Sequence, residues 1–353
     1  MSDRIKVLMI GPDRGVHGGI SALVNSYYEA GLQDKVELKY IGTMKEGSKL
    51  KKLMIAGLAF IKFMRVVDRY DVVHVNCSSD SSFMRKSSFI KYAKRRGKKV
   101  LLHQHGGDFV NYYSNELDEK KKRYVRDILD MADSMLVLTD KWRDFFGTLT
   151  DKNKIHVLPN GVVTKGINKG DHGPGDMDKI LFLGRICRDK GVKELIAAVS
   201  ELHKENDRVR LYVGGIFEEP DLLKDIEENS TFIKHIGWVS GADKDKYLDE
   251  CGIMAVPSYF EGFGLSVVEG MLHGCCVVAS NVGGIPDIVD DEADGLLVPP
   301  KDAFALKKAI ERVMKDKDLA DKLSGNGKKK ALEKYSIENI TSQLLSYYDE
   351  ISG

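Results

Sequence analysis

The residues best suited to chemistry in this 353-residue sequence cluster in VPSYFEGFGLSVVEGMLHG, residues 256–274. A strand-like run ends at Val256, Gly262-Phe263-Gly264 forms a turn with little side-chain obstruction, and an apolar helix is predicted from Leu265. Backbone N–H groups at a helix start lack intrahelical partners, and the helix dipole there favours negative charge, so the turn suits a phosphate. Glu261 precedes the turn and Glu269 follows eight residues later, where a carboxylate accepts hydrogen bonds from sugar hydroxyls. A second constellation is ILFLGRICRDKG, residues 180–191. A predicted strand delivers Arg185 at its carboxyl end and Lys190 stands just before the next helix, a planar fork and a point charge that can clamp a diphosphate. Five cysteines, odd in number and without C-x-x-C spacing, argue against structural disulfides and a zinc site. Asp243-Lys244-Asp245 imitates a metal motif but is expected to open a solvated helix, so no metal ligand is assigned.

Positioning these groups requires a regular scaffold, and the pattern supplies one. Short β-branched runs (residues 6–10, 37–41, 72–76, 99–103, 135–139 and 155–158) alternate with helical stretches, and a second series follows from Ile180 to Val298. Helices are expected over 19–30, 49–69, 84–96, 116–132, 192–204 and 265–273. Several strands are continuously apolar, as suits strands covered on both faces, and the alternation implies right-handed βαβ units in parallel sheets. Residues 164–178 hold four glycines, a proline and no apolar period, and read as a connection. The expected domains are therefore 1–163 and 164–336, with a last helix at 337–353 packing back on the first. Open α/β sheets bind ligands at the carboxyl ends of their strands, so a cleft between the halves is the expected site.

Composition bounds the rest. With 42% hydrophobic residues, 30% charged residues and a net charge of +1, the chain is not disordered. The longest apolar run, Leu53–Ile61, has nine residues against about 20 needed to span a bilayer. The start MSDRIKVLMIGP shows no signal peptide, and a cytoplasmic location is expected. Charge is unevenly divided: residues 1–161 carry +10 and the remainder −9. Between Lys45 and Lys99 there are 15 basic and 4 acidic residues, mixed with apolar ones in LKKLMIAGLAFIKFMRVVDRY and FMRKSSFIKYAKRRGKK. Such helices either lie on an anionic membrane surface or pack an apolar stripe on the sheet while their lysines stay in water.

Read together, E-x7-E at Glu261 and Glu269, the preceding Pro257-Ser258, GCCVVASNVGGIPDIV, DGLLVPP, LGR…DKG, LPNGVV and His17-Gly18-Gly19-Ile20 resemble the retaining GT-B glycosyltransferases of family 4 (glycosyl transferases group 1). The likeness runs in order along nearly the whole chain, strongest over 155–300 and loosest over 40–100. It implies an α/β chain of two doubly wound Rossmann-like domains facing across a cleft, the second holding a nucleotide-sugar and the first facing the acceptor. Arg185 and Lys190 would contact the donor diphosphate with amides near Phe263, Gly264 and Leu265, and Gly18-Gly19 would approach it from the other domain. Glu269 would bind the ribose, Glu261 would lie near the transferred sugar, and the base would rest near Gly237-Trp238-Val239. His105, in HQHGGD, matches the family's active-site histidine; His103 is expected as a packed strand residue, and His17 and His74 are left open.

A retaining hydrolase needs two free carboxylates about 5 Å apart. With Glu261 and Glu269 committed to binding, the resemblance implies instead a front-face substitution in which the leaving diphosphate helps remove the acceptor proton, with no metal or other cofactor. It points to a UDP-sugar, GDP remaining open, and to a glycan or polyprenyl-diphosphate-linked acceptor in cell-surface polysaccharide biosynthesis at the inner membrane face. Three rival functions share parts of this pattern. A dehydrogenase lacks support because GPDRGVHGG is not G-x-G-x-x-G and no acidic residue ends the strand near Ile41. A sugar-nucleotide epimerase would also explain the clamp. A non-enzymatic nucleic-acid binder would use the +10 half, yet no aromatic-interleaved basic motif appears.

Overall fold

The computed structural model describes residues 4–107, 109–167 and 173–353, so residues 168–172 of the expected connection and Asp108 of HQHGGD lie outside the described residues. The chain divides into two units: Met1–Val163 with Ser336–Gly353, and Thr164–Tyr335. Each is built on a six-stranded parallel sheet.

In the first unit β1 (Lys6–Gly11), β2 (Glu37–Gly42), β3 (Val72–Cys77), β4 (Lys99–Gln104), β5 (Ser134–Val137) and β6 (Ile155–Val157) lie in the order β2-β1-β3-β4-β5-β6. Its longer helices are α1 (Gly19–Glu29), α2 (Lys49–Val66), α3 (Asp80–Arg95), α4 (Glu119–Met131), α5 (Asp140–Gly147) and, after the chain returns, a helix over Ile337–Ser352. Alternate residues of β1 explain the layering. Leu8 and Ile10 pack with Phe63, Phe83, Ile90 and Ile128 of α2, α3 and α4. Val7 and Met9 face Leu23, Val24 and Tyr27 of α1, together with Ile337, Leu344 and Tyr348.

In the second unit β7 (Asp176–Leu183), β8 (Arg210–Gly214), β9 (Ile233–Gly237), β10 (Cys251–Val256), β11 (Cys276–Ser280) and β12 (Leu296–Val298) take the order β12-β11-β10-β7-β8-β9. The accompanying helices are α6 (Val192–Glu205), α7 (Pro220–Glu228), α8 (Ala242–Glu250), α9 (Leu265–Leu272), α10 (Ala303–Lys315) and α11 (Lys317–Tyr335), so the returning helix is α12. Its core joins Ile180, Phe182, Ile253 and Val278 of the sheet to Val192, Leu195, Val199, Ile310 and Leu323 of the helices.

Element boundaries depart from the sequence expectation where polar residues do structural work. The third helix starts at Asp80, not 84, because the polar residues Asp80, Ser81 and Ser82 lie in its first turn, after the Ser79 N-cap. The fourth starts at Glu119, not 116, where the Asp118 carboxylate accepts from the Lys121 amide and caps it. β7 begins at Asp176 rather than Ile180, since its polar start pairs with Cys251 of β10. The two sheets share one property that matters for function. In each, the first strand has its second strand on one side and a later one on the other, which makes β1/β3 and β7/β10 the points where strand order reverses.

Candidate active site

At the β7/β10 reversal the two motifs of the second half come together. β7 ends at Leu183 and hands the chain to Arg185 and a single turn, Arg188–Lys190. β10 ends at Val256 and leads through 257–264 into α9. The two loops are fastened to each other: the Tyr259 amide donates to the Asp189 carbonyl at 2.8 Å. Gly191, at φ 67, lies so close to the Pro257 carbonyl that a Cβ would collide with it.

The charged side chains are already paired in this frame. Lys190 Nζ lies 2.5 Å from Glu261 Oε2, both about one-fifth exposed, and the Ser258 hydroxyl donates to the same oxygen at 3.4 Å. Arg185 Nη1 reaches Glu218 Oε2 at 2.7 Å on a more open flank. Glu269, in the second turn of α9, accepts from Lys244 Nζ at 2.6 Å. Gly264 supplies the left-handed entry into α9 (φ 98), and no side chain caps that helix, so its first amides keep their hydrogen-bonding capacity. Phe263 is buried, edge-on to Tyr335, which leaves its backbone rather than its ring for a ligand. Val239, partly buried, follows the end of β9, two strands from β7 on the same edge of the sheet.

In the first unit the corresponding strand ends carry His105 and the glycine turn. Gly18 and Gly19 open α1, and a Cβ on either would meet nothing within 4 Å. His105 follows β4; its amide donates to the Cys77 carbonyl at 2.7 Å and its Nε2 lies 2.9 Å from Asn76 Oδ1. Because that oxygen accepts, Nε2 carries the proton in the neutral ring. Burial, then the charges of His74 and Lys86, pushes the ring's pKa down to about 3, so it is neutral at physiological pH. Behind it His103 is fully buried in β4, its Nδ1 3.3 Å from His74 Nε2, and His74 Nδ1 meets the Tyr348 hydroxyl of α12 at 2.6 Å. His17 pairs with Glu46 at 3.3 Å.

Asp243 and Asp245 do start a helix, but Lys244 between them is turned inward onto Glu269 rather than solvated. Among the described residues no group of three or more His, Cys, Asp or Glu is placed to hold a metal. A cavity of about 580 Å3 beside α7, β8 and β9 holds none of the motif residues.

The sequence profile of "Glycosyl transferases group 1" matches residues 166–330, and that of "Glycosyltransferase Family 4" matches residues 31–165. The chain is a group 1 glycosyltransferase. An uncharacterised glycosyltransferase of Methanocaldococcus jannaschii is 28% identical over 305 residues, 80% of this chain and 76% of the relative. The fold matches sucrose-phosphate synthase from Thermosynechococcus elongatus with a TM-score of 0.81 at 22% identity, covering 99% of each chain. It also matches the Anabaena protein HepE, solved with UDP-glucose, with a TM-score of 0.76 at 17% identity over 98% of this chain and 100% of that one. The architecture of this glycosyltransferase is thus GT-B. Two polar partners in it went unseen in the sequence. Lys244 was masked by its acidic neighbours, whereas Asn76, a fully buried amide in an otherwise apolar strand, was a readable signal.

Proposed function

We propose that this glycosyltransferase moves a sugar from a UDP-sugar to a glycan or lipid-linked saccharide with retention of anomeric configuration and without a metal. The observation that carries this reading is the β7/β10 strand reversal, where Arg185, Lys190 and the uncapped start of α9 converge. Guanidinium, ammonium and helix-start amides complement a diphosphate, and they stabilise the charge that develops as the glycosidic bond breaks. The HepE complex with UDP-glucose supports the choice of donor. Glu269 receives the ribose hydroxyls and Glu261 orients the sugar. Both carboxylates are engaged by lysines, which favours binding roles and a front-face substitution over a double displacement with a free carboxylate nucleophile. Neutral His105, held by Asn76, is the group assigned to the transferred sugar.

Attachment to the inner face of the membrane belongs to the same proposal. No helix among the described residues is long and apolar enough to cross a bilayer. α2, however, buries Ala59 and Phe63 while leaving Leu50, Leu53, Met54, Leu58 and Ile61 exposed, at 78% for Leu50. These residues recur at helical spacing, and Lys51, Lys52, Lys62 and Arg65 flank them, the signature of a face that sinks into anionic headgroups. The reading is tested by melting the protein with a panel of nucleotide-sugars. Saturation at about 100 times Kd adds about 2.7 kcal/mol, so a UDP-sugar raises Tm; a panel without effect defeats it.

A further inference from the structure

The first unit has its own built cavity, of about 360 Å3, at the β1/β3 reversal. One wall is the Gly18-Gly19 turn; the other is Ser78–Ser82 with Arg85 and Lys86, the start and second turn of the 16-residue α3. Its decisive feature is Lys86. Only 2% exposed, its ammonium has one hydrogen bond, to the Ser82 hydroxyl at 2.9 Å, and, among the described residues, no carboxylate within ion-pair reach. The neighbouring Cys77 is no counter-charge, because burial pushes its thiol up to about 12 and keeps it protonated. Arg85 adds a second cation whose Nε is buried without a partner, while its Nη1 reaches the Ser81 hydroxyl. Asp80, the one carboxylate on the lining among the described residues, is exposed. Burial lowers the Lys86 pKa to about 8, which leaves it mostly charged near neutral pH. Buried charges are ordinarily paired, and since no buried acid lines this cavity among the described residues, an anion from outside would compensate the two adjacent cations. The cavity also adjoins His105: Gly106 packs so tightly on the Ser78-Ser79 backbone that a Cβ there would overlap it.

We propose that this cavity is a phosphate subsite for the acceptor, in which Lys86, Arg85, the serine hydroxyls and the first amides of α3 hold a phosphate or diphosphate carried by the molecule that receives the sugar. The assignment rests on reading the protein as a nucleotide-sugar transferase whose first unit serves the acceptor. The donor diphosphate shares this chemistry, but the second unit holds its own cations for it, at Arg185 and Lys190. The experiment separates the two sources. Enzyme saturated with UDP, which occupies the donor site, is titrated calorimetrically with inorganic pyrophosphate. Wild type is expected to bind pyrophosphate, and Lys86→Met and Arg85→Gln to bind it at least tenfold more weakly, with UDP affinity within twofold of wild type. Lys86→Met keeps the apolar stem, and circular dichroism confirms its fold; Arg85→Gln, at a less buried position, provides the second reading. Pyrophosphate that fails to bind UDP-saturated wild type, or binds both variants as tightly, overturns the subsite. A tenfold loss of UDP affinity in Lys86→Met overturns its assignment to the acceptor. Failure of UDP itself to bind wild type refutes the donor reading instead, and the pyrophosphate titration without UDP then still tests the cavity.

Discussion

Lys190 shows how much a single residue can carry. Its ammonium is held against Glu261 in a partly enclosed site, positioned by a turn that Gly191 alone can close; in the proposed reaction it is therefore preorganised rather than recruited when the leaving group develops charge. Replacing Lys190 by Ala is therefore expected to lower the transfer rate by about 10²–10³-fold while the circular dichroism spectrum stays native. Turnover at the wild-type rate would remove the clamp role. These candidate residues were legible because their types are chemically conspicuous at strand ends: a Lys-Gly before a helix, two glutamates around a glycine turn. Partners were not. Glu218 and Lys244 lie 33 and 25 residues away from the groups they pair with, and nothing in local spacing announces such contacts.

Elements explain both the successes and the errors of the sequence reading. Alternating strands and helices were visible because both faces of each sheet are covered, which makes the strands continuously apolar. The start of α3 is not legible because SSDSS has no hydrophobic period, so periodicity marks the helix only from Met84. That gap also hid the second anion cavity. β3 and β4 carry a further consequence. His74 and His105 are both pushed down to about 3, by burial first, and His103 falls well below its usual value for the same reason. The folded state then binds fewer protons than the unfolded one, so stability is fully present above about pH 6.5 and declines as pH falls toward about 3. Each histidine contributes at most about 1.4 kcal/mol per pH unit to that slope. Melting temperature measured from pH 7.5 to 4.5 should fall more steeply for wild type than for His74→Gln. Equal slopes would mean that His74 is not held neutral by the fold.

At the scale of the whole molecule, charge is distributed by unit, and the +10 of residues 1–161 gathers around α2 and α3. Sedimentation or flotation with anionic vesicles should show salt-sensitive binding, lost in Leu53→Glu/Leu58→Glu, whose exposed positions leave the melting temperature unchanged. Binding that survives this double substitution would move the contact elsewhere on the surface. The returning α12 was expected from its pattern alone, but its role in burying Tyr348 against His74 was not legible, since the two are 274 residues apart. Every proposed role depends on where the nucleotide sits. A crystal structure of the complex with UDP tests it most directly. The diphosphate is predicted within hydrogen-bond distance of the Gly264 and Leu265 amides, Arg185 and Lys190, with the ribose on Glu269. A nucleotide bound away from the β7/β10 strand ends would contradict it.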